Sequence, residues 1–253
     1  MTTSYGASFG QPYFPYAKEQ LMAAVHQPGF QPQGISEAVQ DYAKAIYALE
    51  VRTGGEAVHT NALAERLGVT PASASGMVRR LAELRLVRHV RYKGVKLTDA
   101  GRRVALEVLR HHRLIELYLA VHLDVPWDRV HEEAEALEHV LSEDLEARIA
   151  AKLGHPTHDP HGDPIPSAAL TIVEDETQSL EAVPVGVTGR FVRISDSDPA
   201  MLRYLANRGI GIGDRFEVVA RQPFDGPLTV RFGEADHVLG GALARAMRVE
   251  LDG

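Results

Sequence analysis

The nine residues from His131 to His139, HEEAEALEH, concentrate side chains that can hold a metal ion. At about 100° per residue on a helix, His131, Glu135, Glu138 and His139 fall within roughly a quarter of the circumference. Two imidazoles and two carboxylates on one stripe offer nitrogen and oxygen donors to a divalent cation, although a solvated acidic face carrying two histidines has the same pattern. A second pair, His112 and Glu116, follows i, i+4 spacing on the preceding helical stretch. It favours the cation, because facing donors on two adjacent helices close a ligand set more readily than one surface stripe. His155, His158 and His161 (HPTHDPHGDPIP) could also bind metal, but their spacing on irregular chain gives little support for it.

Other chemistries find less in the sequence. The chain has no cysteine, so a disulfide framework, a thiolate zinc site and a nucleophilic thiol are excluded. His131-Glu132 begins like the zinc-protease motif HExxH, but Glu135 stands where the second histidine is needed. Neither a nucleophile elbow nor a phosphate-binding glycine loop occurs. A metallohydrolase is therefore a remote alternative, and the expectation is a protein that is not an enzyme and takes no small organic substrate. No run of 18 apolar residues exists and the N-terminus lacks a basic-then-apolar order, which predicts a cytoplasmic protein without a membrane partner.

Charge is segregated along the chain. Between His59 and Arg110 there are eleven basic and four acidic residues, a local +7 within a chain whose net charge is −7. A basic segment of this kind is the electrostatic signature of a DNA-binding unit. The elements agree. After a Gly-, Gln-, Pro- and Tyr-rich arm (1–33), a helix is predicted from the Ser36 cap to about Glu50, with Val39, Tyr42, Ala43, Ile46 and Leu49 as its apolar stripe. A short helix from Thr60, a break at Gly68-Val69-Thr70 and a longer helix from Pro71 to about Leu84 have helix-turn-helix spacing, with Thr70 as N-cap and Pro71 at N1. Leu86–Leu97 then reads as two strands around Lys93-Gly94, a basic wing. Thr98 is placed to cap a helix reaching about His122. Asp128 is placed to cap the helix carrying HEEAEALEH, and Ser142 marks a bend before a last helix ending at Gly154. The surplus of apolar positions on these helices predicts a homodimer. Short strands after Val183 and one helical piece, PAMLRYLANRG, describe a small SH3-like β-barrel. The predicted fold is mainly α: a winged-helix DNA-binding domain (34–98), metal-binding and dimerisation helices (99–154), a linker (155–183) and an SH3-like barrel (184–253).

From about Gln40 to Leu251 the chain resembles the diphtheria-toxin-repressor family of metal-dependent transcriptional repressors, within it the manganese-responsive branch. The resemblance rests on QDYAKAIYALE, LAERLGVTPASASGMVRRLAELRLV, LTDAGRRVALEVLRHHRLIE, VHEEAEALEHVLSEDLEARI and HGDPIP, in that order. It implies a primary metal site of Asp41, Glu135, Glu138 and His139, with His112 as an additional or bridging ligand. It implies an ancillary site of His112, Glu116 and His131, completed from the barrel, for which Asp196 and Asp198 of the turn ISDSDP are the candidates. Iron-responsive members carry Met at the position of Asp41 and Cys at that of Glu135. Carboxylates at both positions favour Mn²⁺ as corepressor, with Fe²⁺ the alternative. Two-domain manganese regulators carry an acid where this chain has Lys44, so their two-manganese cluster is not expected here in the same form. On a double-stranded, palindromic DNA operator, Thr70, Ser73 and Ser75 open the recognition helix, and Arg79, Arg80 and Lys93 are placed to meet phosphates.

Overall fold

The computed structural model describes residues 35–224 and 226–252, so the N-terminal arm lies outside the described residues. Helix α1 (Glu37–Arg52) buries Val39, Tyr42, Ala43, Ile46 and Leu49, the stripe read from the sequence. Ser36 is extended at its N-cap, but its side chain makes no capping bond. Helices α2 (Thr60–Arg66) and α3 (Pro71–Glu83) follow, with Gly68 at φ +63° between them. The Thr70 side chain accepts from Ser73 N, and Pro71 occupies the first turn, where its missing N–H costs nothing. Strands β1 (Val87–Val90) and β2 (Gly94–Leu97) pair antiparallel. Gly94 begins β2 at φ +112°, where a Cβ would sit 2.0 Å from the Val58 carbonyl oxygen; only glycine lets the wing lie against that strand-like segment. Glu50, buried at the end of α1, accepts from Leu97 N at 2.7 Å and pairs with Arg102 at 3.3 Å, joining α1, the wing and the next helix.

Helix α4 (Asp99–Leu123) is capped by Thr98 and ends where Asp124 turns left-handed, φ +52°, two residues before Pro126. Helices α5 (Val130–Leu137) and α6 (Glu143–Lys152) complete the helical part. Two sequence expectations are corrected here. Arg129, not Asp128, is the N-cap of α5; Asp128 instead pairs with Arg203 at 3.3 Å. HEEAEALEH is also not one continuous helix, since α5 stops at Leu137. Ser142 must be extended to accept from Leu145 N at the start of α6, so the chain leaves the helix beforehand. Glu138 keeps helical angles, φ −60° and ψ −31°, and His139 follows in the turn.

The C-terminal barrel is a six-stranded antiparallel sheet in the order β3-β8-β4-β5-β6-β7. Its strands are β3 (Gln178–Ser179), β4 (Thr188–Ile194), β5 (Arg215–Arg221), β6 (Leu228–Phe232), β7 (Ala235–Leu239) and β8 (Met247–Leu251), with α7 (Pro199–Ala206) and α8 (Gly241–Ala246) packed around it. Register shifts at Phe191/Arg193 and Val218/Ala220 mark bulges, which bend and twist the strands that carry them. Phe191, Leu202, Leu205 and Val230 are fully or almost fully buried in its core.

The stretch 155–177 carries no helix or strand, yet its first half is docked on both sides. Ile165 packs with Leu114 of α4 and Ala150 of α6. Ile194 N of β4 donates to His161 O at 2.9 Å. Gly162 makes that approach possible: at φ +82°, a Cβ there would lie 1.9 Å from Val192 O. Gly162→Ala is therefore expected to lift this loop from β4, at a cost on the order of 1–3 kcal/mol. The check is amide hydrogen exchange at Ile194, which should accelerate; protection equal to the wild type would contradict the docking role.

Candidate metal centre

Three groups of donors lie along one face of α4. In the first, Asp41 of α1 meets the turn after α5. His139 Nε2 is 2.9 Å from Asp41 Oδ1 and 3.4 Å from Glu138 Oε1. The ring is oriented by Gln40, a residue that sequence reasoning missed. Gln40 Nε2 donates to Ile35 O at 3.2 Å, which turns its Oε1 toward His139 Nδ1 at 2.7 Å. His139 Nδ1 must donate there, so the neutral ring presents the Nε2 lone pair to Asp41 and Glu138. Lys44, one turn along α1 from Asp41, reaches into the same place: its Nζ is 2.6 Å from both Glu135 Oε1 and Glu138 Oε1. Burial opposes the charge on Lys44, but Glu138 and Glu135 outweigh it and raise its pKa.

The second group is His112, Glu116, His131 and Asp196. His112 joins it to the first, with Nδ1 2.5 Å from Glu138 Oε2 and Nε2 2.9 Å from Glu116 Oε1. His131 Nδ1 lies 3.1 Å from His112 Nε2 and 2.9 Å from Asp196 Oδ2. Asp198 stays outside; it caps α7 by accepting from Ala200 N at 2.9 Å.

The third group, Glu116, Asp159 and His161, shares Glu116 with the second. His161 is completely buried, and its Nε2 lies 2.7 Å from Trp127 O, to which it must donate. In the neutral ring the other nitrogen, Nδ1, carries the lone pair toward Glu116 Oε2 at 3.8 Å, and both atoms are buried without a hydrogen-bond partner. Orphaned polar atoms of this kind are costly unless something occupies the space between them. These donors fit a divalent cation: only nitrogen and oxygen converge, with imidazole tautomers fixed by second partners. Asp159 carried no signal in the sequence, and His161, grouped there with His155 and His158, carried only a weak one, because irregular chain has no periodicity to bring such residues to a helix face.

Without an ion, protons and Lys44 balance these carboxylates. Burial disfavours charge on His112, but hydrogen bonds to Glu116 and Glu138 outweigh it, raising the pKa to about 9. Hydrogen bonds to Asp196 and Glu116 raise His131 to about 10. His161 reaches about 9, where burial is outweighed by Glu116. Correspondingly, Glu116 is held well below the usual carboxylate range and Glu138 is lowered; in both, burial is overcome by the cationic neighbours. Asp159, whose carboxylate is buried beside Asp163 and Glu116, rises to about 7.

On the winged helix, Ser73 is exposed and contacts Thr70, with 3.0 Å between the hydroxyl oxygens, while Ser75 Oγ donates to Pro71 O at 2.8 Å. Arg79 and Arg80 are exposed, Arg80 resting 3.4 Å from Glu83, and Lys93 lies 3.6 Å from Glu56. Tyr92, at the wing tip and 85% exposed, is a surface feature the sequence reading passed over.

Residues 34–95 match the iron dependent repressor N-terminal DNA binding domain, and residues 98–167 match the metal binding and dimerisation domain of the same repressors. Residues 178–251 match the FeoA domain. The iron-dependent repressor IdeR of Mycobacterium tuberculosis is 38% identical over 226 residues, 85% of this chain and 97% of that protein. The chain belongs to the iron-dependent repressor family. The diphtheria toxin repressor of Corynebacterium diphtheriae, another relative, is 28% identical over 224 residues, 85% of this chain and 97% of that one. Among solved structures, a manganese-dependent transcriptional repressor in complex with manganese is 45% identical with a TM-score of 0.76, over 84% of this chain and 99% of that chain. The manganese regulator SloR is 30% identical with a TM-score of 0.68, over 85% and 98%. This family member thus combines a winged helix, a helical middle and an SH3-like barrel. Among the described residues, no helix is long and apolar enough to cross a membrane.

The raised histidines have a sign that can be tested. A folded pKa above the ordinary 6.5 contributes stability in full below about pH 6.5, and that stability is lost as pH rises through the folded values of about 9 to 10. The melting temperature of the ion-free protein should therefore fall across this window, while affinity for a divalent ion should rise as the ligands shed protons. Calorimetric melting against pH, with and without Mn²⁺, checks both; a flat ion-free profile would contradict this protonation scheme.

Proposed function

We propose that this chain is a manganese-dependent DNA-binding transcriptional repressor that controls metal-ion homeostasis, including manganese transport genes. It would act in the cytoplasm as a homodimer on a palindromic operator. The observation that carries the manganese reading is the donor set. Asp41, Glu138 and His139 stand together, Glu135 and His112 adjoin them, and sulfur is absent. Hard oxygen donors suit Mn²⁺, which the Irving–Williams order otherwise places last in affinity. The likeness to a manganese-bound repressor at 45% identity supports it. The proposed ligands are Asp41, Glu135, Glu138, His139 and His112 at the primary site, and His112, Glu116, His131 and Asp196 at the ancillary one, which Asp159 and His161 adjoin.

Bound at the primary site, the ion supplies a positive centre to which carboxylates from both α1 and the α5–α6 turn are drawn. Asp41 sits on the helix that packs into the winged-helix core, and Glu138 and His139 sit beside the helices proposed to dimerise. Holding these residues together fixes the tilt of α1, and with it the spacing of two recognition helices in a dimer. Val121, Leu123, Leu137 and Val140 are exposed on or beside α4 and α5, apolar surface that a second copy would cover.

A second reading, Fe²⁺ as corepressor, is favoured by the 38% identical iron-dependent relative. The two are separated by fluorescence anisotropy on a duplex selected by this protein from a random library, with Mn²⁺ or anaerobic Fe²⁺. Mn²⁺ should drive binding by the wild type and fail with Glu135→Ala. Stronger binding with Fe²⁺ would reverse the assignment, and binding indifferent to either ion would overturn metal control.

Lys44 competes for the same carboxylates. Lys44→Met should tighten Mn²⁺ binding about tenfold, ~1.4 kcal/mol, measured by competition with a fluorescent chelator; unchanged affinity would mean that Lys44 moves aside at no cost. On DNA, Arg80→Ala should weaken all sequences alike and reduce the slope of log affinity against log salt by about one. A sequence-selective loss would instead assign Arg80 to base readout.

A further inference from the structure

Behind the groups described above, α4 and the first turn of α6 enclose another set of donors. Glu107 and His111 lie i, i+4 on α4, and Glu143 and Glu146 lie i, i+3 on α6. One ligand atom from each of the four falls within 4.8 Å of every other. His111 is 2% exposed. Its Nδ1 lies 3.1 Å from the Glu138 carbonyl oxygen, a group that can only accept, so Nδ1 carries the hydrogen. In the neutral ring Nε2 therefore holds a lone pair, aimed at three carboxylates: Glu146 Oε2 at 3.3 Å, Glu107 Oε1 at 3.8 Å and Glu143 Oε1 at 3.9 Å. That nitrogen is buried and has no hydrogen-bond partner.

We propose that Glu107, His111, Glu143 and Glu146 form a further divalent-cation site, one imidazole nitrogen and three carboxylate oxygens, distinct from both sites of the proposed function. The charge favours it. Arg110 Nε takes Glu146 Oε1 at 2.7 Å, which leaves Oε2 free and leaves three carboxylates facing one guanidinium. A dication neutralises the remainder. Glu107 and Glu146 are buried while the Glu143 side chain is 30% exposed, so Glu143 provides the way in from solvent. Cis ligands of a metal with bonds of about 2.1 Å stand about 3 Å apart, so each carboxylate oxygen needs to close on His111 Nε2 by less than about 1 Å. An imidazole whose other nitrogen donates to a backbone carbonyl is the usual arrangement of a metal-bound histidine. Without the ion, the crowding is relieved by a proton on Glu107, which burial and Glu143 push up to about 9.

The carbonyl that fixes His111 belongs to Glu138, whose carboxylate is proposed as a primary ligand. An ion at the further site would brace the turn between α5 and α6 from behind. A hard ion such as Mn²⁺ suits the donors. The test uses the full chain, stripped of metal and titrated with Mn²⁺ alone. Equilibrium dialysis should find one more Mn²⁺ per chain in the wild type than in Glu107→Gln/Glu143→Gln, a variant that leaves the Arg110–Glu146 pair and every ligand of the proposed function intact. Equal numbers in the two proteins overturn the proposal. Anomalous diffraction from wild-type crystals grown with Mn²⁺ decides independently of how the variant folds. A peak among the four side chains supports the site; its absence, with the primary site filled, shows that the cluster is held by protons. Because the comparison is a difference between two proteins, it stands whichever ion controls DNA binding.

Discussion

A carboxylate taken out of water must be given a positive partner, and this constraint organises the middle of the molecule. Glu138 is almost fully buried and lies between Lys44 Nζ at 2.6 Å and His112 Nδ1 at 2.5 Å. Glu116, also buried, faces His112, His131 and His161. Removing one member of such a set leaves an uncompensated charge in a poorly solvated place, at a cost of several kcal/mol. The helices are thus held in register by groups that a divalent ion can also satisfy. The ion-free protein is one solution to the charge balance and the loaded protein another. The difference between them is carried by protons and by the position of one lysine.

The basis of this arrangement was largely readable from the sequence. Thr70, Thr98 and Ser142 announce helix starts through the hydroxyls that cap them, and the stripe on α1 follows from 3.6-residue periodicity. The resemblance supplied the grouping of Asp41 with Glu138 and His139, which local patterns cannot do because they lie 97 and 98 residues further along the chain. What could not be read depends on tertiary geometry. HEEAEALEH has full helical periodicity, yet the helix ends within it, with Glu138 as its C-cap and His139 in the turn, ahead of the extended Ser142 that caps α6. Asp128 has good capping chemistry but is drawn away by Arg203, 75 residues distant. Gln40 orients His139 only because Ile35 O holds its amide. Asp159 and His161 reach Glu116 through a loop whose path is set by Gly162 and β4.

Lys44 is the informative departure. A residue that would be unremarkable on a solvated helix face lies between two proposed ligands and keeps its charge there. Its ammonium stands between the carboxyl groups of Glu135 and Glu138 and holds the Glu138 pKa down. The same contact ties α1 to α5 before any ion arrives. The contact between α1 and the α5–α6 region therefore already carries an attraction, and the lysine and an ion would draw α1 to the same partner from different points along its length.

The docking of the loop on β4 would give the barrel a kinetic role in a loaded protein. Asp196 reaches His131, and the His161 carbonyl receives the Ile194 amide, only while the barrel sits against α4. An occupant of the pocket around Glu116 would be enclosed by side chains from four separate stretches of chain, one of them belonging to the barrel. Its escape would then require the barrel to lift rather than one ligand to swing away, so its dwell time would be that of a domain movement. A sensor closed in this way averages over brief fluctuations in its surroundings and answers only to changes that outlast the opening of its own lid.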